Sequence, residues 1–119
     1  MTRILFATDG SKPSLAAERY ISNVYEPARD EVVILSVAEI PPHLMRYIDF
    51  GEEDENPYET GVGQQFVKQA RNRAEDAEVR LEAEGFDVQC VVRQGNPGSE
   101  ICEAAQEQDV DCIVVGRRG

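Results

Sequence analysis

Histidine is all but missing from this chain, with His43 as the single example. An imidazole-based zinc or iron site has no ligand set to draw on, and a Ser-His-Asp triad would have to use one residue in a Pro-rich loop. Cysteine is scarce and odd in number. Cys90, Cys102 and Cys112 lack CxxC spacing and fall in expected strands or on a helix, so they read as reduced, buried thiols rather than a redox or metal set. No apolar run approaches the roughly 20 residues that span a bilayer, and the chain opens on a strand-like segment instead of a signal peptide. A cytoplasmic protein is expected. Lys12 and Lys68 are the only lysines, the remaining basic side chains being arginine.

What is present is acid. A formal net charge of −11 repels nucleic acid and anionic membrane, so any phosphate ligand must be held by local groups. The carboxylates are spread along the chain rather than gathered in a tail, which suits a salt-rich cytoplasm and an ordinary acidic protein alike. At 119 residues with 41% hydrophobic content, the chain is a single domain with one core.

Arg3 to Thr8, with Ile4-Leu5-Phe6-Ala7, has the length and apolar character of a central parallel strand. Asp9-Gly10-Ser11 turns the chain into a helix reaching about Tyr25, with Ala17, Tyr20, Ile21 and Val24 as its expected apolar face. Glu31 to Ala38 is a second buried strand. Glu39 to Gly63 loses periodicity, being either a lid or a disordered insertion, with one helical turn expected at Leu44-Met45-Arg46-Tyr47-Ile48. Its acidic run Glu52-Glu53-Asp54-Glu55 would sit awkwardly near a nucleotide without a cation. Gln64 to Glu84 is the clearest helix. Phe66, Ala70, Ala74, Ala77 and Leu81 form its inner face, and Arg71, Arg73, Glu75, Asp76, Glu78 and Arg80 read as a solvated one. A third strand over Asp87 to Arg93, a helix from Pro97 to about Gln108 burying Ile101, Ala104 and Ala105, and a strand over Val110 to Val115 complete the pattern.

Strands alternating with helices predict a doubly wound α/β domain with a parallel sheet and right-handed crossovers. Ligands of such sheets sit beyond the carboxyl ends of the strands. The residues to watch are therefore Thr8-Asp9-Gly10-Ser11, Val37-Ala38, Gln94-Gly95-Asn96 and Gly116 to Gly119. Asp9 could accept hydrogen bonds from a ligand or cap the following helix, and composition favours the cap. Gly116 and Gly119 could let a backbone approach a bound group or be ordinary turn glycines. Arg117 and Arg118 could bind phosphate oxygens or face solvent.

Ile4-Leu5-Phe6-Ala7-Thr8-Asp9-Gly10-Ser11, Val33-Ile34-Leu35-Ser36-Val37, Gly95-Asn96-Pro97 and Asp111-Cys112-Ile113-Val114-Val115-Gly116-Arg117-Arg118-Gly119 together resemble the universal stress protein family. The likeness runs through the whole chain in order, excepting the 39–63 loop, which that family also varies. It implies a Rossmann-like fold of the adenine nucleotide alpha hydrolase type. By resemblance to the ATP-binding branch, Asp9 with Ala7 and Thr8, and the backbone at Val37, would hold adenine and ribose. Val115 would line the nucleotide, and Gly116-Arg117-Arg118-Gly119 would supply the first half of the family's G-x2-G-x9-G-(S/T) loop for ATP, with or without Mg²⁺. The second half and the fifth strand, through which relatives commonly form homodimers, would lie beyond Gly119, so a homo-oligomer or a marginally stable chain is expected. The resemblance implies an adenine-nucleotide-binding stress regulator acting by conformational or oligomeric change. The alternatives are a nucleotide-independent interaction module and a slow ATP-using enzyme. The chain lacks a phosphate-loop lysine and an obvious base, which speaks against efficient hydrolysis, and it lacks the Ser-Gly-Gly stretch of related ATP pyrophosphatases.

Overall fold

The computed structural model describes residues 1–46 and 56–116. The order is β1 (Arg3–Ala7), α1 (Lys12–Val24), β2 (Glu31–Ala38), the short α2 (Pro42–Met45), a 3-10 turn (Pro57–Glu59), α3 (Gly61–Ala83), β3 (Asp87–Gln94), α4 (Pro97–Glu107) and β4 (Cys112–Val115). The four strands form one parallel sheet in the order β3-β2-β1-β4. This is the doubly wound α/β architecture expected from the alternating pattern.

Side chains on a strand alternate between faces, and a strand covered on both sides must be apolar throughout. In β1 and β2, Ile4, Phe6, Val32 and Ile34 pack with Ala17 and Ile21 of α1 and with Ala74, Ala77 and Leu81 of α3. The odd-numbered Leu5, Val33 and Leu35 pack against Ala104 of α4, flanked by the half-buried Ile101 and Ala105. Two helices thus cover one face and one covers the other. The outer strands are less enclosed, and Ile113 and Val115 of β4 remain 44% and 52% exposed.

The helix boundaries follow local chemistry. Ser11 Oγ accepts from Ser14 N at 3.3 Å to cap α1, and Asn96 Oδ1 accepts from Ser99 N at 3.1 Å to cap α4, each followed by an early proline. Gly85, in the left-handed region at φ 98°, ends α3 at the position expected of a cap.

Four expectations need correction. The buried stripe of α1 is Ser14, Ala17, Glu18 and Ile21, whereas Tyr20 and Val24 are about half exposed. Glu18 tolerates this position because Arg80 of α3 grips both its oxygens at 2.7 and 2.8 Å. Arg80 is thus an inter-helix clasp as well as an exposed charge on the wet face of α3. Second, the described parts of the 39–63 segment are structured. Ile40 is buried and its N–H donates to Tyr58 Oη at 3.2 Å, while α3 begins at Gly61 because Thr60 Oγ1 caps it through Gly63 N at 3.1 Å. The turn expected to reach Ile48 is seen as Pro42–Met45; Tyr47, Ile48 and the acidic run lie outside the described residues. Third, Cys102 is exposed on α4, and Cys90 and Cys112 are only half-buried. Burial and the neighbouring Glu78 still push the Cys90 thiol up to about 12, which keeps it protonated. Fourth, Arg73 is half-buried rather than fully solvated, and its position bears on the site described below.

At the opposite end of the sheet, Asp30 is buried and accepts from Thr2 N at 2.8 Å, Glu26 N at 2.9 Å and the Arg29 guanidinium at 3.2 Å. The Arg29 hydrogen bond leads in holding its carboxyl down at about 2, with the Glu26 and Thr2 amides assisting and burial opposing. A depressed carboxylate stabilises the fold above its unfolded value and loses that contribution as pH falls through the folded one. The melting-temperature gap between wild type and Asp30→Asn should therefore be full at neutral pH and close as pH drops from 3.8 toward about 2. A gap unchanged across that range would show that the ionised form is not what stabilises the turn.

Candidate functional site

Chain order along the sheet reverses between β1 and β4, and a cleft of about 490 Å³ opens at the carboxyl ends there. Its floor is made by Ala7 at the end of β1 with Thr8 and Asp9 after it, by Leu35 and Val37 of β2, and by Val115 at the end of β4 with Gly116 after it. Phe66, Gln69 and Arg73 of α3 form one wall, and Pro97 and Ile101 of α4 form the other. Six of the nine residues singled out from sequence, Ala7, Thr8, Asp9, Val37, Val115 and Gly116, therefore line a single cavity. Arg117, Arg118 and Gly119 lie outside the described residues.

The cavity exists because β1 is short. Its ladder with β2 ends at Ala7 opposite Leu35, with one further bond from Thr8 N to Leu35 O at 2.9 Å, yet β2 continues to Ala38. Along β2, Leu35 turns its carbonyl toward β1 and Ala38 turns its own toward β3, accepting from Gly95 N at 2.9 Å. By the same alternation Val37 presents its N–H and C=O to the space that β1 has vacated. Outside the strand ladders, no backbone hydrogen bond to either group is found among the described residues.

Asp9 is neither a plain helix cap nor an isolated ligand group. Ser11 fills the capping position, and Asp9 Oδ1 accepts from Ser11 N at 2.9 Å and from Ser14 Oγ at 2.7 Å, bracing the turn that precedes α1. Thr8 Oγ1 accepts from Gly10 N at 3.2 Å in the same turn. Gly10 itself has φ 77°, and a Cβ there would meet the Arg73 stem at 2.7 Å. The turn thus needs glycine for both conformation and space.

Gly116 also has a packing role. A Cβ at this position would collide with the backbone of Pro13 and Ser14, so the end of β4 lies directly on the first turn of α1. Neither turn conformation nor close approach to a ligand is required to explain this glycine.

The model of the universal stress protein family matches residues 1–119. The chain belongs to that family. Among curated relatives, the universal stress protein MJ0577 of Methanocaldococcus jannaschii is 27% identical over 124 residues, covering 98% of this chain and 76% of its own length. A second protein of that organism, MJ0531, is also 27% identical, with 98% and 65% covered. The solved structure of MJ0577 superposes with a TM-score of 0.78, covering 99% of this chain and 76% of that one. Two more distant members share the fold: a universal stress protein in complex with cAMP (23% identity, TM-score 0.62, 96% and 75% covered) and one from Arabidopsis thaliana with AMP bound (14%, 0.69, 100% and 78%).

Sequence reasoning missed the α3 wall of this universal stress protein cleft. At about 1.5 Å per residue the 23-residue α3 is about 34 Å long, against about 26 Å for eight-residue β2, so it extends past the sheet's edge. The signal was available in Phe66, Gln69 and Arg73, spaced at three and four on one helical face.

Gly116→Ala should lower stability in urea unfolding by about 1–3 kcal/mol through forced displacement of α1. Gly61→Ala, where an added Cβ meets nothing within 4 Å, should be neutral or stabilising by up to about 1 kcal/mol. Equal effects at the two positions would refute the packing role given to Gly116.

Proposed function

We propose that this chain is an adenine-nucleotide-binding stress regulator that takes ATP, with Mg²⁺ accompanying the phosphates, and acts through a change of conformation or association rather than turnover. The observation that carries the reading is the convergence of Ala7, Thr8, Asp9, Val37, Val115 and Gly116 on one cleft of nucleoside size, in a family whose solved members include AMP and cAMP complexes. The chemistry fits the proposed ligand. Adenine is a flat apolar body whose edge carries a donor beside an acceptor. Val37, Ile101 and Phe66 supply apolar contact, and the Val37 N–H and C=O supply the complementary pair. Asp9, already braced by Ser11 and Ser14, would accept from ribose or the base without reorganising. Arg117, Arg118 and Gly119 complete the proposed set as the start of the phosphate loop.

A second reading, a nucleotide-independent interaction module, is favoured by a different observation. Ile113 and Val115 leave an apolar, singly paired edge along β4, next to a groove lined by Tyr20, Tyr25 and Cys112. Under either reading we propose that this edge is covered by self-association, in the simplest case as a homodimer.

Calorimetry with ATP and Mg²⁺ should give binding at about micromolar strength for wild type. Val37→Trp, which fills the cleft, should abolish binding while leaving the fold intact. Undiminished binding by the variant would remove the nucleotide from this cleft, and no binding by either would favour the interaction module. Sedimentation of the polypeptide should show concentration-dependent association. A monodisperse monomer with a high melting temperature would count against the proposed covering of β4.

A further inference from the structure

Among the described residues Arg73 is the one basic side chain lining the cleft, and it is placed there by α3 rather than by the loop after β4. Its aliphatic stem lies against Gly10, and its Nε is buried without a hydrogen-bond partner. Ser36 Oγ is the other such atom, and Ser36 does not line the cleft. A guanidinium has donors only, stays charged under all ordinary conditions, and loses hydration when its stem is packed down. Burial pulls its pKa down, and the charge of Asp9 only partly opposes that. A desolvated donor of this kind is costly until an acceptor reaches it, and a charged oxygen offers the largest gain.

We propose that Arg73 is an anion-recognising residue of the cleft, its Nε–H and the rest of its fork taking a charged oxygen of a phosphorylated ligand. The inference rests on the cleft being the ligand site and deepens the nucleotide reading: it divides affinity between a part of the ligand that contacts β2 and α4 and a part that contacts α3. Asp9 and Glu39 also line the cleft of this protein of net charge −11, so Arg73 is the group there that can offset carboxylate repulsion of a phosphate.

Adenosine, AMP and inorganic pyrophosphate should be titrated by calorimetry into wild type, Arg73→Met and Arg73→Lys, with thermal unfolding recorded for each. Arg73→Met keeps the stem over Gly10 and deletes the donors. It should weaken AMP and pyrophosphate by about tenfold or more and leave adenosine within about twofold, and Arg73→Lys should recover part of the loss. Equal weakening of adenosine and AMP would reduce Arg73 to a packing residue and overturn the proposal, as would AMP and pyrophosphate affinities untouched by Arg73→Met. If wild type bound pyrophosphate in an Arg73-dependent way but no adenine compound, the anion subsite would stand and the adenine reading would fall. Nucleotide binding indifferent to Arg73 would do the opposite, removing the anion subsite and keeping the adenine site. Should Arg73→Met fail to fold, the Arg73 Nε–H resonance of the wild type decides: it should move on adding pyrophosphate, and a stationary signal overturns the inference.

Discussion

The structure depends on the five residues of β1. They are hydrogen-bonded on both edges, to β2 and to β4, and Ile4, Leu5 and Phe6 are shut from solvent on both faces. Every apolar layer of the domain rests on this strand, and so does the site. Because β1 turns away at Thr8 while its neighbour runs three residues further, a gap is left in the middle of an otherwise continuous ladder. The cleft is the consequence of ending the most buried strand first.

Several charges near that core are matched by opposite charge or by backbone amides. Glu18 is buried but gripped by Arg80, Asp30 is buried among two amides and Arg29, and Arg93 gathers Glu100, Glu103 and Glu107 along one side of α4 at 2.7–3.0 Å. The Arg93 fork, raised in pKa chiefly by Glu100, relieves the repulsion of three carboxylates spaced one turn apart. At the foot of the sheet, Arg3 joins Glu31 of β2 to Gln108 and Asp111 before β4 through its guanidinium and its backbone N–H. The scarcity of lysine takes on meaning here, since these joints use the planar, multiply donating group that arginine has and lysine lacks. Against this background the buried Nε of Arg73 stands apart.

Much of this was legible in the sequence, for identifiable reasons. Continuous apolar runs such as Val32-Val33-Ile34-Leu35 can be buried on both faces only in a covered parallel sheet, and the caps at Ser11, Asn96 and Gly85 have chemical signatures that do not depend on tertiary context. What could not be read depended on partners distant along the chain. Glu18 looks like surface until Arg80, 62 residues away, is known to reach it, and Tyr20 looks like core until β4 proves to be the sheet's edge. Phe66 and Arg73 look like core and solvent as long as a helix is given only two faces, whereas α3 overhangs the sheet and turns a third surface into the cleft. The strand-end residues fared better because position relative to a parallel sheet is set by topology, which the order of elements already implies.

The contact between Gly116 and the first turn of α1 bears on how related sequences are to be interpreted. The family resemblance implied that the glycine at the end of this strand lets a nucleotide come close. Here the helix has already claimed the space that a side chain would occupy, so the residue would be retained in a member that had lost its ligand altogether. Its presence reports how closely two elements are seated, and whether a chain of this family binds anything has to be judged from the side chains that face the opening.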